Sequence, residues 1–431
     1  MGKHVMWILS LVGILFCSSF ETRAMDVQPQ ERIRNMALLR SLILKKIPPK
    51  KKVIQSAICD NREITHMQFS PDGKFLVEIQ QKDTKNTVVI TDFIHDKRSY
   101  CSPQDGYVGA LAVSNQKIIT GYLCNKKQSL LMWDLYKGTL LKNVSKNITK
   151  KDKDVVFIGS VVWHPRSFDF ISVPMKDTFF VHDNCGTIKA HCEQKQLNAV
   201  SYSPCGNSFV SVCDEAIILR DSDTGGIKGQ IALGALAVAW NPKGGVFVAV
   251  SNEAQDNVIV CNGITGELIS YYTDELQRRD GYYVERDIYF SSNGKYIVTV
   301  SDTYFDRDSN TIIIRDAVTF KILDHFIIPC VRNTVDISYD GQYLIFGIKI
   351  PKNNIILYDL ELHKIVQVFT AIIPRIIRWR PNNYQFVSAP VKGCSLTVWN
   401  LFDVTTKEAL DDLESNTIDL QLLSGIFHGK I

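Results

Sequence analysis

Phe69-Ser70-Pro71-Asp72-Gly73-Lys74-Phe75-Leu76-Val77 reads as a strand, a tight turn and a second strand, and imperfect copies of it recur down the chain. Proline fixes φ early in such a turn, and Gly or Asn accepts positive φ late in it. The last apolar residues of the first strands are Phe69, Val113, Trp163, Tyr202, Trp240, Phe290, Ile337 and Trp379, roughly 44 residues apart on average. Two positions earlier lie Met67, Leu111, Val161, Val200, Val238, Ile288, Val335 and Ile377, again all apolar. Each first strand therefore alternates with period two.

The turn chemistry repeats in Pro204-Cys205-Gly206, Pro242-Lys243-Gly244, Asn293-Gly294, Asp340-Gly341 and Pro381-Asn382-Asn383. A second apolar strand follows each turn, as in Phe209-Val210-Ser211-Val212. A third closes on Asp or Asn, at Asp92, Asp134, Asp183, Asp221, Asn262, Asp316, Asp359 and Asn400. Their recurrence marks these side chains as turn formers rather than catalysts. A fourth strand comes next, as in Gly266-Glu267-Leu268-Ile269. Four strands per unit and eight units predict an all-β fold, an eight-bladed β-propeller of four-stranded antiparallel blades.

The copy ending Leu131-Met132-Trp133-Asp134-Leu135, together with Phe69-Ser70-Pro71-Asp72-Gly73, resembles the WD-repeat family over roughly Lys52 to Leu401. No Gly-His dipeptide opens the units, and Trp133-Asp134 alone carries the namesake pair. The resemblance implies a propeller that binds protein partners; exported propellers of the Tol-system type are a second relative. The last unit lacks an evident fourth strand. Lys52-Val53-Ile54-Gln55-Ser56-Ala57-Ile58 resembles Lys364-Ile365-Val366-Gln367-Val368-Phe369, so the N-terminal strand 52–58 is expected to complete blade 8 and remove an open edge.

Outside the ring, Lys3 and His4 precede the apolar run Val5 to Phe16, which is shorter than the ~20 residues of a membrane-spanning helix. Residues 1–24 read as a secretory signal cleaved after Ser19 or Ala24, with an uncleaved anchor as the alternative, so the protein is expected to be periplasmic or secreted. Residues 25–51 form an N-terminal helix, with Ile33, Met36, Leu39 and Ile43 on one stripe, and a basic linker. The helix suits a cap on the domain or a membrane-surface segment. The ring spans 52–401, and 402–431 is a C-terminal helical tail.

The 431 residues are 45% apolar and carry a net charge of +4, which is thin for a nucleic-acid binder. The ten cysteines beyond Cys17 follow no fixed spacing and fall mostly in strands, which predicts mainly free thiols. No Gly-x-Ser-x-Gly, His-Glu-x-x-His, phosphate loop or Cys-x-x-Cys occurs. No catalytic residue and no cofactor is assigned. His182, Cys185, His191 and Cys192 have zinc-binding types. If Asn184-Cys185-Gly186 is a turn, though, His182 lies opposite Ile188 and His191 opposite Phe179, on opposite faces, which argues against a metal.

Two groups remain as candidate binding residues. Between the paired apolar positions of the first strands, Gln68, Asp336 and Arg378 bring polar groups to adjoining blades along the channel, as a recognition patch or as an inter-blade pair. On the face bearing the longer connections, Lys82, Lys126, Lys349, Lys352 and Lys392 place positive charge over blades 7, 8, 1 and 2, and Lys176 extends it to blade 3, opposite acidic residues over blades 4 to 6. The expected function is a monomeric, non-catalytic protein-interaction scaffold, with a channel enzyme or small-ligand binder as the alternative.

Overall fold

The computed structural model describes residues 50–54, 62–124, 127–144, 158–174, 178–251, 257–273, 283–303, 310–328, 334–348, 354–371 and 374–401. The signal, the helix at 31–46 and the C-terminal tail lie outside them. Within them, eight four-stranded antiparallel blades form a ring.

The first strand in the chain, β1 (Lys50–Ile54), stands apart from the blade that follows it. Blade 1 is β2 (Glu63–Phe69), β3 (Phe75–Lys82), β4 (Lys85–Asp92) and β5 (Lys97–Tyr100), with the short β6 (Gln104–Asp105) beside β4. Blade 2 is β7 (Tyr107–Val113), β8 (Lys117–Cys124), β9 (Lys127–Asp134) and β10 (Leu140–Asn143); blade 3 is β11 (Ile158–Trp163), β12 (Phe170–Pro174), β13 (Thr178–His182) and β14 (Ile188–Glu193). Blade 4 is β15 (Leu197–Tyr202), β16 (Ser208–Cys213), β17 (Ile217–Asp221) and β18 (Ile227–Ile231); blade 5 is β19 (Ala235–Trp240), β20 (Val246–Ser251), β21 (Asn257–Asn262) and β22 (Leu268–Thr273). Blade 6 is β23 (Tyr283–Phe290), β24 (Tyr296–Thr303), β25 (Asn310–Asp316) and β26 (Ile322–Ile328); blade 7 is β27 (Val335–Ile337), β28 (Tyr343–Ile348), β29 (Asn354–Asp359) and β30 (Lys364–Thr370). Blade 8 is β31 (Pro374–Trp379), β32 (Gln385–Pro390) and β33 (Leu396–Asn400), completed by β1 in antiparallel register, Lys50 opposite Asn400 and Ile54 opposite Leu396. The closing strand thus begins two residues before the expected 52, and residues 55–58 lie outside the described chain.

Second and third strands are buried on both faces, so successive residues feed two different cores. Val77 joins Val88, Val113 and Trp133 between blades 1 and 2, whereas its neighbour Leu76 joins Ile64, Val387 and Leu396 between blades 8 and 1. One apolar cluster of this kind fills every seam of the ring. Cys101, Cys192, Cys213, Cys261 and Cys394 are buried thiols, and the other described cysteines, Cys124, Cys185 and Cys205, are thiols too.

The turn formers act as expected. Asp92 Oδ1 accepts from the amides of Ile94 and His95, two and three residues on; Asp134, Asp221, Asn262, Asp316 and Asp359 repeat this bonding, and Asp183 takes the amides of Cys185 and Thr187, two and four residues on. The amides that follow Asn400 lie outside the described residues; its side-chain oxygen accepts from Gln385 Nε2. In the opening turn Gly73 has φ +69°, and a Cβ there would stand 2.4 Å from Pro381 O, so the turn of blade 1 rests directly on that of blade 8.

Inside the blades, Trp133 Nε1 donates to Thr120 Oγ1 at 2.8 Å and Trp399 Nε1 to Ser388 Oγ at 2.9 Å. Elsewhere other residue types fill the same rung: Arg220 Nε donates to Ser211 Oγ at 3.2 Å, and His182 Nε2 shares a 2.8 Å hydrogen bond with Ser172 Oγ. The rung tolerates exchange because it needs only a planar donor facing a small hydroxyl across two buried strands.

Candidate functional site

First strands lie innermost in the ring, and the proposed channel sector can be built from three of them. Asp336 on β27 is committed to the backbone: its Oδ2 accepts from the amide of Trp379 on β31 at 2.7 Å, and its Oδ1 accepts from the amide of Ile337 at 2.9 Å. Asp336 thus links blades 7 and 8 through a backbone amide. Arg378 Nη1 donates to the Ile377 carbonyl at 2.7 Å. Burial raises the Asp336 carboxyl above its ordinary range, against the pull of Arg378 and the two amides.

Neighbouring blades contribute more groups than the alternating pattern revealed. His66, two residues before Gln68 on β2, is pushed down to about 4 by burial, then by Arg375 and Arg378. Burial raises the Tyr289 phenol, with Asp287 and Asp336 acting in the same direction and Arg378 against them. Arg375 Nη1 meets Glu63 Oε2 at 2.8 Å, tying blade 8 to blade 1. His66 and Tyr289 were legible only as polar residues in apolar strands; their grouping required ring closure.

The zinc-type cluster departs from its expected geometry. His182 does lie opposite Ile188, but the register slips between Val181 and His182, and His191 pairs with Phe180 while Cys192 takes Phe179. The two histidines thus share a face. The His191 ring stacks on Phe180 at 5.1 Å, and His182 lies 6.2 Å from that same ring. The skipped residue is Lys189, whose Nζ bridges Asp169 at 3.0 Å and Asp223 at 2.6 Å. Among the described residues no group of three or more His, Cys, Asp and Glu side chains is arranged for a metal.

His182 is fully buried, stacked on Phe170 at 4.5 Å, and burial lowers its pKa to about 4. Between that value and 6.5 the unfolded chain holds the extra proton, so the stability His182 provides is present above pH 6.5 and is lost as pH falls through 4. Relative to His182→Phe, the wild type should therefore lose on the order of 3 kcal/mol between pH 7 and pH 4. Urea denaturation across that range measures it, and parallel stability profiles would contradict it.

The face of the short turns is tied up in itself. Asp72 N donates to Asn115 Oδ1 at 2.9 Å, Tyr384 OH to Asp340 Oδ2 at 2.9 Å, and Arg380 Nε to the Gly73 carbonyl at 2.7 Å. His164 Nδ1 accepts from the amides of Arg166 and Ser167, which leaves Nε2 as donor to the Gly206 carbonyl at 2.9 Å. Ser292 Oγ donates to the Tyr339 carbonyl at 2.6 Å. Turn polar groups thus link one blade to the next. On the opposite face Lys82 ends β3, half-buried, and Lys392 is exposed between β32 and β33. Lys126, Lys349 and Lys352 lie outside the described residues.

No family model matches the sequence, and no curated protein sequence matches it. Among solved structures, the C-terminal WD40 domain of Sif2 superposes with a TM-score of 0.60 at 15% identity, over 81% of this chain and 99% of that one. The fold is that of a WD40-like propeller. Sqt1 of Saccharomyces cerevisiae matches with a TM-score of 0.59 at 11% identity, over 80% of this chain and 97% of that one. Dihydro-heme d1 dehydrogenase NirN, in complex with DHE, matches with a TM-score of 0.55 at 14% identity, over 72% of this chain and 66% of that one. At such identities the likeness of this WD40-like propeller to them is one of fold.

Proposed function

We propose that this WD40-like propeller is an exported, non-catalytic scaffold that binds a protein partner on the face bearing the long connections. One observation carries the reading: the polar groups of the short turns are spent on neighbouring blades, from Asp72 to Arg380. The opposite connections are the longer ones in sequence, and long loops on a rigid ring commonly carry recognition. The charge of Lys82, Lys126, Lys349, Lys352 and Lys392 orients a partner with an acidic surface. Export rests on the apolar run from Val5 to Phe16.

Reversing charge at Lys82, Lys349, Lys352 and Lys392 together should reduce crosslinked capture of the partner from the native host by about tenfold or more. Undiminished capture would overturn the choice of face. Binding of a small ligand in the channel is the second reading, favoured by the grouping of Tyr289, Arg378 and His66. Under that reading, exchange of Arg378 would abolish ligand binding and leave protein capture intact.

A further inference from the structure

Among the described residues β1 stands at the end of its sheet, with β33 as its one partner. Such an edge presents unpaired N–H and C=O groups, which charge, proline or a bulge commonly guards. β1 has no bulge: its register with β33 runs unbroken from Lys50 opposite Asn400 to Ile54 opposite Leu396. Its guard is lysine. The strand reads Lys50-Lys51-Lys52-Val53-Ile54, and Lys51, Lys52 and Val53 are exposed. A basic edge repels a basic strand and favours one that sets carboxylates across from it.

The chain itself supplies an acidic strand at that place. Asn400, the last residue of β33, lies opposite Lys50, the first of β1, so residues 402–431 set out from beside the lysines. They carry Asp403, Glu408, Asp411, Asp412, Glu414 and Asp419 against Lys407 and Lys430 alone. Beyond the helix expected at 406–413, Thr417-Ile418-Asp419-Leu420-Gln421-Leu422 alternates polar and apolar residues with period two, the pattern of a strand with one covered face.

We infer that residues 417–422 pair antiparallel with β1 as a fifth strand of blade 8, so that segments from both sides of the ring seal its closure. Asp419 opposite Lys52 joins the exposed pair that Lys52 makes with Asp96. The same register sets Ile418 opposite Val53 and Leu420 opposite Lys51, whose aliphatic stem can lie along it. The connection fits. Residues 402–416 must return along the length of β1, about 17 Å, and even with a helix at 406–413 they span about 30 Å. Tethering favours this strand over a free one, because a short linker holds it near β1 at an effective concentration on the order of millimolar.

Hydrogen exchange of the full chain, read by peptide mass, tests this. Amides of 417–422 should be protected in the wild type and should exchange about fivefold faster or more in Asp419→Lys, and likewise in Lys52→Glu. Combining the two restores opposite charges and should restore protection. Asp419→Lys lies outside the ring, and unchanged exchange in β32 and β33 shows that the ring is intact in each variant. Residues 417–422 that exchange at the rate of an unstructured peptide overturn the inference. So does protection that survives both single substitutions, that the double variant fails to regain, or that disappears on dilution, which would assign the pairing to a second copy.

Discussion

Deleting Lys50–Ile54 is expected to split the single unfolding transition of the ring and to cost on the order of 3–6 kcal/mol. β1 pairs with β33 along its full length, Lys50 opposite Asn400 through Ile54 opposite Leu396, and it is the outermost strand of blade 8. Its loss exposes the edge of β33 and takes Ile54 off the cluster of Leu76, Leu396 and Val398 that fills the seam between blades 8 and 1. The Lys52–Asp96 ion pair at 2.7 Å joins well-exposed side chains and adds little. The upstream chain cannot readily slide into the vacated slot, because Pro48 and Pro49 have no amide to donate. Trp379 and Trp399 lie in blade 8, so tryptophan fluorescence should lead the far-ultraviolet circular dichroism transition on heating. Coincident transitions at the wild-type midpoint would refute the closure role.

Period-two alternation, turn residues and terminal Asp or Asn fix local structure, and eight copies fix the architecture, so the ring and its closure were legible from Phe69-Ser70-Pro71-Asp72-Gly73 outward. What a repeat pattern cannot convey is a departure from it. The slip at Lys189 puts His182 and His191 on one face, whereas strict alternation from the turn puts them on opposite faces. Asp336 was visible as a polar residue in an apolar strand, yet its partner is a backbone amide, which every residue type but proline supplies.

Arg98→Met is expected to be the most damaging single exchange in blade 1, at about 3–5 kcal/mol near pH 8. Glu78 on β3 is wholly buried; its Oε1 accepts from Arg98 of β5 and, at 2.8 Å, from Gln80 Nε2. Arg98 Nε also donates to Thr91 Oγ1 at 3.2 Å, while Glu78 Oε2 and Arg98 Nη1 have no partner among the described residues. Glu78 shares a strand face with Leu76, so the pair adjoins the seam that closes the ring. Burial raises the Glu78 carboxyl to about 7, against the pull of Arg98 and Gln80. The folded chain therefore holds an extra proton between 4.5 and 7, and that contribution to stability is lost as pH rises through 7. Without Arg98 the carboxyl rises further, so the penalty should be large at pH 8 and shrink toward pH 5, where Glu78 is protonated in the folded state. Adding Glu78→Gln to Arg98→Met removes the stranded charge and should recover most of the loss at pH 8. A penalty equal at both pH values, or one that Glu78→Gln does not relieve, would mean that the side chains serve by packing alone.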